Sequence, residues 1–125
     1  MASSILIVDD EPQIRSLVRV LLSRMGFNLF EAGDGVEALE LCENQHLPLD
    51  LLITDVMMPK MDGVALAERA SQIYPDLRVI YMSGKSEADT IVCGIRERGF
   101  HFLRKPFQID ELRAKVAEMA ATTPA

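Results

Sequence analysis

Four apolar runs in this chain lead into residues that can do chemistry. Asp9, Asp10 and Glu11 follow Ile5–Val8, and Asp55 follows Leu51–Thr54. Ser83 and Gly84 follow Val79–Met82, and Lys105 and Pro106 lie just past Phe100–Leu103. If these runs are neighbouring strands of one sheet, three aspartates, a hydroxyl and a lysine share an edge. Carboxylates gathered in that way repel one another and require positive charge. Lys105 supplies one unit of it. A hard divalent cation bound by oxygens supplies the rest, and Mg²⁺ fits best because it takes few protein ligands and keeps several waters. Mn²⁺ is the natural substitute. Zinc is not expected, since neither His46 nor His101 falls at a strand end with the acids.

The elements that must position these residues are legible from patterning. Three of the four runs are continuously apolar, as parallel strands buried on both faces are. A fifth, Asn28–Ala32, alternates and reads as an edge strand. Helical spacing separates the runs. The first helix carries Ile14, Leu17, Val18, Leu21, Leu22 and Met25 on one face, with Pro12 at its start and Gly26 as a left-handed stop. The second opens on the capping-box pattern Asp34-Gly35-Val36-Glu37 and buries Val36, Leu39 and Cys42. The third follows Asp62-Gly63 and uses Leu66, Ala67, Ala70 and Ile73. The fourth opens at Ser86-Glu87-Ala88-Asp89, uses Ile91, Val92 and Ile95, and stops at Gly99. The fifth uses Ile109, Leu112, Val116 and Met119.

Strict βα alternation predicts an α/β fold, a three-layer (βα)5 sandwich with helices on both faces of a parallel five-stranded sheet. The flavodoxin-like order 2-1-3-4-5 is one such topology. Ligands of these sheets bind beyond the carboxyl ends of the strands, where strand order switches. All the polar groups named above fall there.

A chain of 125 residues is read as one domain, residues 1–125, with a core over about 5–119 and a frayed tail at 120–125. A net charge of −6 argues against a nucleic-acid-binding surface. No apolar run reaches membrane-spanning length, so no membrane role is expected. The start lacks the pattern of a secretion signal, which makes the cytoplasm the expected compartment. Cys42 and Cys93 are expected as free thiols inside helices.

Taken singly, each polar residue has an ordinary explanation. Aspartates before a helix are usually caps. Ser83 would be a satisfied strand-end hydroxyl, Lys105 a solvated charge, Pro106 a strand stop, and Phe102 core. Met57, Met58 and Met61 would be packing. Their joint placement is what argues for a site.

That joint pattern resembles the receiver domain of two-component response regulators, the chemotaxis-regulator-like fold. The matching residues are Asp9-Asp10, Asp55 with Met58-Pro59 and Asp62-Gly63, Ser83-Gly84, and Lys105-Pro106-Phe107. The resemblance covers about Ile5 to Met119. It implies that Asp55 is the phosphoacceptor, taking a phosphoryl group from a phosphohistidine on a histidine kinase or histidine phosphotransfer domain. Asp10, Asp55 and the backbone carbonyl of Met57 would hold Mg²⁺, with Asp9 acting directly or through water. Lys105 and Ser83 would contact the phosphoryl oxygens. Ser83 and Phe102 would form a switch that reshapes the face of the fourth helix, fifth strand and fifth helix, controlling a partner or an attached domain. The Lys105–Pro106 peptide would be cis.

The chain departs from the common pattern at three places. The switch aromatic, Phe102, lacks a hydroxyl, and neither Met57 nor Lys85 is a general base for an attacking water. Slow autodephosphorylation is therefore expected, and the isolated domain is not expected to be an enzyme beyond self-phosphorylation. A haloacid-dehalogenase-like phosphatase would carry a second aspartate where Met57 stands. A flavin carrier would not place three acids where phosphate must sit. A degenerate receiver, binding partners without phosphorylation, would lack an acid or the lysine. The stretches VIYMSG and FLRKPFQIDELRAKV resemble terminal receivers of hybrid sensor histidine kinases, so origin in such a kinase is favoured over a stand-alone regulator.

Overall fold

The computed structural model of the protein describes residues 4–45, 49–58, 60–84, 101–105 and 107–121. Five parallel strands form one sheet in the order β2-β1-β3-β4-β5. They are β1 (Ser4–Val8), β2 (Asn28–Ala32), β3 (Leu51–Asp55), β4 (Arg78–Ser83) and β5 (His101–Arg104). Helices α1 (Pro12–Ser23), α2 (Gly35–Gln45), α3 (Gly63–Ile73) and α4 (Ile109–Ala121) cover the two faces. The helix expected over 86–99, with Cys93, lies outside the described residues. So α4 corresponds to the fifth expected helix, and it runs two residues into the tail expected to fray from 120. No helix among the described residues is long and apolar enough to cross a membrane.

Alternation along each central strand divides the core in two. Leu6 and Val8 of β1 join Leu52, Val79 and Tyr81 against α2 and α3. Ile5 and Ile7 join Leu51, Ile53, Ile80, Met82 and Leu103 against α1 and α4. Successive side chains leave a strand on opposite sides, so one continuously apolar strand feeds both layers. This is the three-layer flavodoxin-like sandwich expected from the sequence. Strand β2 sits at the sheet edge, as read, but its middle residues are partly covered on both sides rather than alternately buried and open.

Caps set the helix starts. Asp62 accepts from the Ala65 N–H at 2.8 Å and opens α3. Asp34 accepts from the Glu37 N–H at 2.8 Å and opens α2. Glu37 reaches back not to the Asp34 amide but to Gly33, accepting its N–H at 3.2 Å. Pro12 occupies the start of α1, where its missing N–H costs nothing. Gly26 takes φ 86°, the left-handed conformation expected of it.

Four residues expected on core-facing stripes stand largely in solvent: Leu17 at 45% exposure, Val36 at 37%, Ile73 at 36% and Ile109 at 48%. Each lies at the margin of its helix's apolar arc, and three of them fall in the first turn or the last residue of the helix. In α2 the burial falls instead on Ala38, Leu39 and Cys42. Cys42 is a free, buried thiol.

Candidate functional site

The same alternation that divides the core assembles the site. Asp9 continues the β1 row of Ile5 and Ile7, Asp55 the β3 row of Leu51 and Ile53, and Lys105 the β5 row through Leu103. All three rows face α1 and α4. Register does the rest. Ile7 lies beside Ile53 and Val8 beside Thr54, so the next step brings Asp9 beside Asp55. The sheet is prolonged past its strands by the Val56 N–H to Met82 carbonyl bond, 2.9 Å, and the Lys105 N–H to Ser83 carbonyl bond, 2.8 Å. Asp55 itself is the last residue of β3 rather than the first beyond it, paired with Met82.

Lys105 joins the acids. Its ammonium donates to Asp9 Oδ2 at 2.6 Å and to Asp55 Oδ2 at 3.2 Å, and lies 3.8 Å from Glu11 Oε1. The lysine side chain is 12% exposed and the Asp9 side chain 0%. Burial alone would lower the Lys105 pKa. The Asp9 hydrogen bond and the charges of Asp55 and Asp9 outweigh it and hold the ammonium above the usual lysine value. Burial pushes the Asp55 carboxyl up from its ordinary range; Lys105 opposes the rise and the Asp9 charge adds to it. The site therefore holds an acid whose charge is only partly compensated.

The two neighbouring aspartates have different surroundings. Asp9 is fully buried, and both its oxygens are engaged: Oδ2 by Lys105, Oδ1 by the Glu11 N–H at 2.9 Å. Asp10 points into solvent. Neither caps α1, whose N-cap is Glu11 with no side-chain bond. Oxygens of Asp9, Asp10 and Asp55 nevertheless all lie within 4.8 Å of one another, the grouping of acids expected to face a metal. The donors are hard carboxylate oxygens with no thiol or imidazole among them. One of the three acids is open to solvent, so water can complete a coordination sphere. This donor set fits a small hard dication.

The β3–α3 loop wraps beneath Asp55. The Met57 N–H points to Asp55 Oδ1 at 3.4 Å, and the Met57 side chain is 44% exposed. The Asp55 carbonyl accepts from the Thr54 hydroxyl at 3.0 Å. Gly63 packs directly on that carbonyl: a Cβ there would land inside the oxygen's van der Waals shell. Ser83 is buried at the end of β4. Phe102 is half-buried and packs against the core layer formed with α2 and α3. The Lys105–Pro106 peptide lies outside the described residues, as do Pro59, Lys85 and His46.

Three contributors escaped the sequence reading. Arg15 donates to the Asp9 carbonyl at 2.6 Å and holds the β1–α1 turn. Gly63 is legible as a helix start and as part of the matching motif, but not as the position whose missing side chain admits the Asp55 backbone. Lys60 is left-handed and pairs with Asp34. Of these, only Gly63 carried a signal, a glycine directly after a cap.

A family model described as the response regulator receiver domain matches residues 5–117. The chain is 38% identical over 120 residues to the sensor kinase CckA of Brucella abortus (strain 2308), covering 94% of this chain and 12% of that protein. It is also 38% identical over 116 residues to the response regulator GtcR of Aneurinibacillus migulanus, covering 93% of this chain and 47% of that one. The chain thus spans half or less of these curated relatives. Among solved structures, the receiver domain from the hybrid histidine kinase CckA superimposes with a TM-score of 0.78 at 36% identity, covering 94% of this chain and 98% of that one.

Proposed function

The chain belongs to the response regulator receiver domain family of two-component signalling, and from that premise we propose that Asp55 is its phosphoacceptor. The observation that carries this reading is the placement of Asp55. It is nearly buried at the end of β3, bridged to Lys105 on one oxygen and flanked by Asp9 and Asp10. The family is not itself a family of catalytic enzymes. The finer assignment concerns what this chain's residues do during transfer.

An Asp55 oxygen attacks the phosphorus of a phosphohistidine on a histidine kinase or histidine phosphotransfer domain. The P–N bond breaks, its electrons return to the imidazole, and an acyl phosphate forms. Lys105, already within reach of Asp55, follows the charge onto the phosphoryl oxygens. Asp10, Asp55 and the Met57 carbonyl would hold Mg²⁺, with Mn²⁺ able to replace it. Asp9 holds Lys105 and would help bind the metal directly or through a bound water. When bound, the metal neutralises phosphoryl charge. The Ser83 hydroxyl donates to a phosphoryl oxygen, and its shift lets Phe102 repack, altering the face that β5 shares with its flanking helices. With Met57 and no acid or amide at that position, water is not activated and the acyl phosphate is lost slowly.

Relatives of both kinds, a sensor kinase and a response regulator, support a receiver that acts on an attached or separate partner. The CckA likeness in both sequence and structure favours a hybrid-kinase setting. The cytoplasm is the compartment where such partners are expected.

The test adds Mg²⁺ and a small acyl-phosphate donor, reads intact mass, and runs Asp55→Asn in parallel. One added phosphoryl group, absent in Asp55→Asn and in EDTA, is the expected result. No gain in a folded wild-type protein, with the donor and with its kinase, would point instead to a degenerate binding module.

A further inference from the structure

We propose that the first turn of α2 is a positioning device for the phosphoacceptor, clamping the β3–α3 loop through Gly35 and through an Asp34–Lys60 pair. Three contacts place it there. A Cβ on Gly35 would lie 2.8 Å from the Met61 carbonyl oxygen and 2.9 Å from the Met61 Cβ, so the α2 backbone sits directly on the loop. Lys60 has φ 70°, the one non-glycine left-handed residue among the described residues. An L side chain takes that conformation only where its surroundings impose it. Its ammonium lies 3.6 Å from Asp34 Oδ2, while Asp34 Oδ1 caps α2 through the Glu37 N–H. One carboxylate therefore fixes a helix start and the loop together.

The far end of the same loop reaches the site. The Gly63 N–H donates to the Val56 carbonyl at 2.8 Å, closing the loop on itself beside Asp55. Within it, the Met57 N–H approaches Asp55 Oδ1 at 3.4 Å, opposite the oxygen that Lys105 holds. Displacement at Met61 is transmitted through Asp62 and the Gly63–Val56 bond to the residue that precedes Met57, whose amide approaches the Asp55 carboxylate. The clamp touches neither the acids nor Lys105, so it acts only through position. Its consequence for metal binding rests on the function proposed above.

Two readouts separate the clamp from that function. Amide hydrogen exchange over 56–62 without metal reports the loop alone. Mg²⁺ affinity, by calorimetric titration, reports the site. Alanine suits a helical position better than glycine, so any loss in Gly35→Ala comes from the Met61 contact. We expect Gly35→Ala to speed exchange in 56–62 selectively, by about fivefold or more, the lower bound for overpacking, and to weaken Mg²⁺ binding. Lys60→Met should speed the same exchange by about 1.4- to 5-fold, the range for an exposed ion pair, and Lys60→Arg should restore it. In an Asp34→Asn background, Lys60→Met should do nothing further. Wild-type exchange in 56–62 for both Gly35→Ala and Lys60→Met would overturn the clamp. So would exchange that rises uniformly across the fold with unchanged Mg²⁺ affinity. A wild-type protein that binds no Mg²⁺ would remove the metal reading, while the exchange data would still decide the clamp.

Discussion

Replacing Lys105 by methionine should cost the metal-free protein far more than the loss of a surface charge. The lysine is the common partner of Asp9 and Asp55, at 2.6 and 3.2 Å, and both acids are buried, at 0% and 7% exposure. Methionine preserves much of the side-chain volume and removes only the ammonium. Asp9 then keeps its bond from the Glu11 N–H but loses its counter-charge. Breaking a buried pair from one side typically costs about 3–5 kcal/mol, because the remaining charge is left uncompensated. An exposed pair would cost about 0–1 kcal/mol. A domain of this size holds about 5–15 kcal/mol in all, so the loss is a large fraction of the total stability at neutral pH.

The pH dependence has a definite sign. Lys105 has a raised pKa in the fold, so its stabilisation is complete below the usual lysine value and vanishes as pH climbs through the raised one. Asp55 is raised for an acid, chiefly by burial, so the folded state holds its proton more tightly than the unfolded chain does. Its ionised form is a cost at neutral pH, and acidification through the raised pKa removes that cost. Without Lys105 the cost grows, so the deficit of Lys105→Met should shrink as pH falls into the carboxylate range. Urea unfolding followed by circular dichroism, in EDTA at neutral and acid pH, measures both. A neutral-pH loss below about 1 kcal/mol, or a deficit that does not shrink with acid, would refute the buried-pair reasoning.

Other outcomes follow from the same geometry. Added Mg²⁺ should raise the melting temperature of the wild type, by an amount equivalent to about 2.7 kcal/mol at a hundredfold excess over Kd, and this gain should largely disappear in Asp10→Asn; thermal scans with and without EDTA check it. Gly63→Ala must push the Asp55 backbone aside, at a cost of about 1–3 kcal/mol in urea titration, with slower labelling by an acyl-phosphate donor. Asp62→Ala loses the α3 cap and should cost about 0.5–2 kcal/mol in urea titration.

Sequence periodicity and punctuation settled much of this protein. Apolar runs, capping aspartates, Pro12 and Gly26 are local signals, because strand faces and helix ends depend on neighbours a few residues away. They were enough to predict the β/α order, the parallel sheet and the edge carrying the polar residues. They were also enough to single out Asp9, Asp10, Asp55, Ser83 and Lys105. Helix margins were less legible. Leu17, Val36, Ile73 and Ile109 match an apolar stripe, but how far a helix end lifts from the sheet depends on the packing beneath it.

What only the tertiary structure decided is who meets whom. Asp9 and Lys105 are 96 positions apart, and nothing local says that a 2.6 Å bond joins them. The division of labour between Asp9 and Asp10 is of the same kind. Adjacent residues at a strand end leave on opposite sides, and only the assembled sheet shows which side is filled by Lys105 and which is open to water. Gly35, Lys60 and Gly63 complete the lesson. Glycine at 35 and at 63 hints at a turn or a helix start and lysine at 60 hints at neither, but what each of them meets is fixed by another part of the chain. Long-range approach is fixed by strand register and layer packing, which are properties of the whole fold.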